Sequence, residues 1–131
     1  MRAECRVLVV DDDSGVRVLV ARVLEDAGCA VTDADDGTQA LEILERKEID
    51  IDLVLTDINM PGLDGLELGR RIAGMTPPMP VLYMSSEFPV ALAPGSPEPP
   101  MPRFLLKPFS IASLVTAVAG LLAEGGKPWI A

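Results

Sequence analysis

Asp57 ends a short apolar run, Leu53 to Thr56, and opens the segment Asp57-Ile-Asn-Met-Pro-Gly-Leu-Asp-Gly65. An acidic cluster, Asp11-Asp12-Asp13, ends an earlier apolar run from Val7 to Val10. Carboxylates gathered in one place repel one another and stay ionised together only when a cation joins them, which calls for a hard, oxygen-loving ion such as Mg²⁺. A carboxylate beside such a cation can attack a phosphoryl group and become an acyl phosphate, provided that the incoming negative charge is neutralised and the group is held in line. On this chemistry Asp57 is the nucleophile, with Mg²⁺ on Asp12 and Asp57. Lys107 offers a compact point charge for one phosphoryl oxygen, and the Ser85 hydroxyl a hydrogen bond to another. Met60-Pro61-Gly62 has proline and glycine where a type II turn wants them, which would present the Asn59 backbone carbonyl to the metal.

The elements that must hold these residues can be read from hydrophobic periodicity. Val7 to Val10 is a strand; Val16, Leu19, Val20, Val23 and Leu24 follow at helical spacing. A weaker strand near Ala30 to Ala34 comes after the helix-stopping Gly28, then a helix through Ala40, Leu41 and Leu44, and a strong strand from Leu53 to Thr56. Beyond it lie a helix from Leu66 to Ile72 with Asp64 as its N-cap, strands Val81 to Met84 and Phe104 to Leu106, and a closing helix. Such alternation predicts a doubly wound α/β fold, a parallel sheet with helices on both faces. Asp11, Asp12, Asp57, Ser85 and Lys107 all fall at or just beyond strand ends, where these sheets build their crevice. Singly, such residues are more often helix caps, turn formers or solvated charges; their shared placement argues for one site.

The 131 residues suit one domain, and 49% apolar with 24% charged residues is an ordinary globular balance. A net charge of −9 opposes contact with a phosphate backbone, so no nucleic-acid partner is expected. The longest strongly apolar stretch, Ile111 to Ala123, falls short of the ~20 residues that span a bilayer, and no secretory signal precedes the first strand. No membrane partner and a cytoplasmic location are therefore expected. Cys5 and Cys29 stand apart in the sequence, outside any metal-spacing motif, and read as small buried thiols without a role. Histidine is absent, so a phosphohistidine donor would belong to a partner.

In order and spacing, the segments Val-Leu-Val-Val-Asp11-Asp12-Asp13, Asp57-Ile-Asn-Met-Pro-Gly-Leu-Asp-Gly65, Val-Leu-Tyr-Met-Ser85 and Leu-Leu-Lys107-Pro-Phe109 resemble the receiver domain of two-component response regulators. The resemblance runs over essentially the whole chain. It implies a flavodoxin-like five-stranded parallel sheet of order 2-1-3-4-5, with residues 1–124 as the receiver and 125–131 as a short tail. It also implies that Asp57 takes a phosphoryl group from a histidine kinase or phosphotransfer protein. Asp11, Asp12 and the Asn59 carbonyl would arrange Mg²⁺, Lys107 and Ser85 would hold phosphoryl oxygens, and Phe104 would rotate inward with Ser85. The bond Lys107-Pro108 is expected to be cis. Asn59 and Glu87, two residues beyond Asp57 and Ser85, resemble the pair of chemotaxis regulators and imply comparatively fast dephosphorylation. The expected result is a signalling protein rather than an enzyme, a monomer or weak dimer acting on a protein target that the sequence does not name.

One stretch departs from the family. Pro89, Pro94, Pro97, Pro99, Pro100 and Pro102 crowd the place of its fourth helix, and interior prolines cost about 3 kcal/mol each, so an irregular or polyproline-like loop over 87–102 is expected. The usual output face is thereby in doubt. With only eight residues after Ala123, a stand-alone receiver or one excised from a larger kinase is expected. Two other readings remain open. A phosphorylation-independent, receiver-shaped interaction module would use the fold without the chemistry. A haloacid dehalogenase-like phosphatase would use Asp11 and Asp13 as an Asp-x-Asp pair, but it lacks an acidic metal pair after Lys107.

Overall fold

Continuous runs of branched apolar residues such as Val-Leu-Val-Val suit strands buried on both faces, and the computed structural model places such runs at the centre of one five-stranded parallel sheet. It describes residues 5–76, 79–87 and 103–124. In chain order these form β1 (Arg6–Val10), α1 (Ser14–Asp26), β2 (Ala30–Ala34), α2 (Gly37–Arg46), β3 (Leu53–Asp57), α3 (Gly65–Ala73), β4 (Val81–Ser85), β5 (Arg103–Leu106) and α4 (Ile111–Glu124). The strand order is β2-β1-β3-β4-β5, the flavodoxin-like arrangement expected from the resemblance.

Alternation along each strand divides the core in two. Val7, Val9, Leu53 and Leu55 pack with Val20 and Leu24 of α1 and Leu114, Val118, Leu121 and Leu122 of α4 on one face of the sheet. Leu8, Val10 and Val54 meet Ala40, Leu41 and Leu44 of α2 and Leu68 and Ile72 of α3 on the other. Three aspartates set the helix starts: Asp13 accepts from the amides of Gly15 and Val16, Asp36 from Gln39, and Asp64 from Glu67, satisfying amides that have no partner within the helix.

Leu19, expected on the buried stripe of α1, is 63% exposed; the stripe runs through Val16, Val20, Val23 and Leu24, and Leu19 lies at its edge in solvent. Cys5 and Cys29 are buried as expected, but they are not isolated from each other. Of the irregular loop expected over 87–102, all but Glu87 lies outside the described residues, as does the tail 125–131.

Candidate phosphoryl-transfer site

Strand register assembles the site. Val10 of β1 lies opposite Thr56 of β3, so the next rung brings Asp11 beside Asp57. Asp57 is in turn opposite Met84, so Ser85 is one rung beyond it on β4, and Ser85 is opposite Leu106, so Lys107 follows on β5. The Lys107 amide donates to the Ser85 carbonyl at 2.7 Å, continuing the ladder past the strand ends. Residues separated by up to 96 positions thus meet at one sheet edge, at the β1/β3 point where the strand order reverses.

Within this edge, carboxylate oxygens of Asp11, Asp12 and Asp57 lie within 4.8 Å of one another. Asp11 is fully buried and Asp57 nearly so, whereas Asp12 is exposed at the mouth. Lys107 reaches in from β5, its Nζ 3.1 Å from Asp11 Oδ2 and 3.5 Å from Asp57 Oδ1. The third acid of the cluster, Asp13, is used otherwise: its carboxylate caps α1, while its amide donates to Asp11 Oδ1 at 2.9 Å. The Lys107-Pro108 bond is cis, as expected, and Gly62 takes φ +74, the value that a type II turn requires after Pro61.

Ser85 is buried, and its Oγ accepts two hydrogen bonds, from the Asn59 side-chain amide and from the Glu87 backbone amide, each at 3.2 Å. A hydroxyl has two acceptor sites and one proton. With both lone pairs engaged, that proton is left as the donor to an incoming oxygen. Asn59 is thus placed at the site through its side chain as well as by its position. Phe104 packs with Tyr83 of the neighbouring β4 and with Ile58 just beyond β3.

Sequence reading missed Arg17, which lies mid-way along the first part of α1. Its guanidinium donates to the Asp11 carbonyl at 2.7 Å and pairs with Asp33 at 3.2 Å, tying the β1 end to β2 and α1. A lone arginine four residues past a helix cap carries no sequence signal of that contact.

The Asp57 carboxyl is held above its ordinary range, chiefly by burial; Lys107 opposes the rise, and the neighbouring charge of Asp11 adds to it. The folded chain therefore binds this proton more tightly than the unfolded chain. In metal-free buffer the contribution of Asp57 to stability falls as pH rises from the ordinary aspartate range through the raised folded value. Asp57→Asn should remove that slope, giving a higher Tm than the parent at pH 7 in EDTA and a gap that closes in acid. A variant less stable than the parent at pH 7 would contradict this.

A doubly wound sheet with an acidic triad, a lysine and a hydroxyl at its switch point defines the class of signalling receivers. The family model described as "Response regulator receiver domain" matches residues 7–119, and the chain belongs to that family. It is 38% identical over 117 residues to the response regulator receiver protein CpdR of Brucella abortus, covering 89% of this chain and 96% of that protein. It is 35% identical over 118 residues to the sensor kinase CckA of the same organism, where the match spans 90% of this chain but 12% of the kinase. Among solved structures, the receiver domain of the hybrid histidine kinase CckA aligns with a TM-score of 0.71 and 35% identity, covering 89% of this chain and 98% of that one. A receiver domain protein from Clostridium thermocellum aligns with a TM-score of 0.79 and 28% identity over 93% and 97%. The chain is therefore a receiver of two-component phosphorelay signalling. This membership leaves the haloacid dehalogenase-like reading without support. Among the described residues, no helix is long and apolar enough to cross a membrane.

Proposed function

We propose that Asp57 is the phosphoacceptor of a two-component phosphorelay and that the chain works in the cytoplasm by switching protein-protein contacts. The observation that carries this reading is the triad Asp11, Asp12 and Asp57 within 4.8 Å, with Lys107 Nζ between Asp11 and Asp57. Its hard carboxylate oxygens suit a divalent cation of the Mg²⁺ kind, and Asp11, Asp12, Asp57 and the Asn59 carbonyl are the residues that would hold it. When bound, Mg²⁺ supplies positive charge against the entering phosphoryl group. An Asp57 carboxylate oxygen attacks phosphorus, the P–N bond to the imidazole of a partner histidine kinase or phosphotransfer protein breaks, and the imidazole nitrogen takes the electron pair. Lys107 and the Ser85 hydroxyl bind the oxygens of the transferred group. The unit that does this is the receiver spanning 1–124.

Intact-mass analysis after incubation with a small phosphodonor and Mg²⁺ tests the reading. One phosphoryl group should be added, and none in Asp57→Asn or in EDTA. No addition to the folded protein, together with no binding of beryllofluoride, would favour the phosphorylation-independent module. Asn59 and Glu87 both border the Ser85 hydroxyl, where water would approach the acyl phosphate. The phosphoform is therefore expected to decay quickly in Mg²⁺; one persisting for many hours would count against that assignment.

A further inference from the structure

At the far end of the sheet from the acidic triad, two thiols that the sequence holds 24 positions apart meet in the core. Cys5 directly precedes β1 and Cys29 directly precedes β2, and the first register pair of those strands is Arg6 with Ala30. The Ala30 amide donates to the Cys5 carbonyl at 3.0 Å, and the Cys29 amide to the Leu24 carbonyl at 2.9 Å, so both backbones are fixed. The sulfurs lie 2.8 Å apart, within about 0.8 Å of the ~2.05 Å of a covalent S–S bond. No other cysteine exists in the chain to compete for either.

We propose that Cys5 and Cys29 are a disulfide site that closes under oxidising conditions and ties edge strand β2 to β1. The oxidant is a small disulfide of the glutathione class. One cysteine thiolate attacks a sulfur of that disulfide and expels one small thiolate; the second cysteine thiolate attacks the protein-bound sulfur of the mixed disulfide and expels the other. The protein pair loses two electrons and two protons, and the small disulfide becomes two thiols. Burial and the neighbouring Cys5 hold the Cys29 thiol above its ordinary range, so in the native state the thiolate is scarce and closure is slow. The closed loop encircles α1 and the β1 end that carries Asp11, yet the bond lies at the opposite ends of the strands from the triad. Oxidation should therefore change stability and leave phosphoryl acceptance intact.

Both routes to equilibrium need to be followed, because the thiols are buried. The reduced native protein is incubated with oxidised glutathione. In parallel, denatured protein is refolded in a glutathione redox buffer, where burial is no barrier. Samples are then denatured and treated with a maleimide. The expected product is a monomer lacking two hydrogens and refusing the maleimide, with Cys5 and Cys29 joined in a peptide map, and with Tm raised by roughly 10 °C for a closed loop of this length. Cys29→Ser should give only a glutathione adduct or an intermolecular dimer at Cys5. A refolded protein that still takes up two maleimides, or that oxidises only between chains, would overturn the proposal. The outcome does not depend on whether Asp57 accepts a phosphoryl group.

Discussion

Lys107→Met should slow phosphorylation of Asp57 by a small phosphodonor about 10²-fold, the scale on which loss of one preorganised charge at a reacting centre is felt. The same substitution should destabilise the metal-free protein by about 2–3 kcal/mol. That is somewhat below the ~3–5 kcal/mol for breaking a fully buried pair, because the lysine side chain is 22% exposed and partly screened. The cause is the partner left behind: Asp11 is fully buried, and its Oδ2 is held by Lys107 at 3.1 Å. Without that ammonium, two buried carboxylates face each other with no positive charge between them. A divalent cation offers the same neutralisation, so millimolar Mg²⁺ should recover more stability in the variant than in the parent. Thermal unfolding with and without Mg²⁺, beside phosphorylation rates from intact mass, checks both parts. A variant as stable as the parent in EDTA would mean that Lys107 does not compensate the acidic pair. An unchanged phosphorylation rate would remove it from the chemistry.

The gathering of these residues was legible because they sit at strand ends, and a strand end is a feature that sequence marks well. Asp11, Asp57, Ser85 and Lys107 each follow a largely apolar run, and parallel register does the rest by placing successive ends on one edge. What the sequence did not show is what side chains do after they arrive. Asp12 was already set with the metal; what did not show is that its neighbour Asp13 caps α1. Arg17 and Asn59 act through individual side-chain hydrogen bonds, to Asp11 and Asp33 and to Ser85, that leave no periodic trace.

The fold followed the same rule. The sheet order and all nine described elements agree with a reading based on strand-helix alternation and the family likeness, since buried parallel strands and capped amphipathic helices are strongly patterned. Leu19 escaped because periodicity sets the centre of an apolar stripe better than its edge. Cys5 and Cys29 were read as unrelated because nothing in either cysteine's neighbourhood announces which strands pair. Pairing between β1 and β2 is a property of topology, and once it is known the contact between residues just ahead of Arg6 and Ala30 follows directly.

Gly65 shows how closely Asp57 is built into the chain reversal after β3. It is the first residue of α3, and its amide donates to the Ile58 carbonyl at 2.9 Å, drawing the helix start against the strand that carries Asp57. A Cβ there would stand 2.2 Å from the Asp57 carbonyl oxygen and 2.8 Å from the Ile58 Cα. Both are backbone atoms, with no rotamer by which to yield. Gly65→Ala is therefore expected to cost about 3 kcal/mol, lowering Tm by roughly 10 °C, and to slow phosphorylation by shifting the nucleophile. Two other glycines separate this cause from the general effects of adding a methyl group. Gly62 has open space around it but φ +74, so Gly62→Ala should cost only about 1 kcal/mol through its backbone. Gly120 lies inside α4 with nothing within 4 Å of its Cβ position, so Gly120→Ala should stabilise by up to ~1 kcal/mol through helix propensity. Thermal unfolding of the three variants should rank them in that order. If Gly65→Ala proved no worse than Gly62→Ala, the close approach of α3 to Asp57 would not be the constraint that fixes glycine at this position.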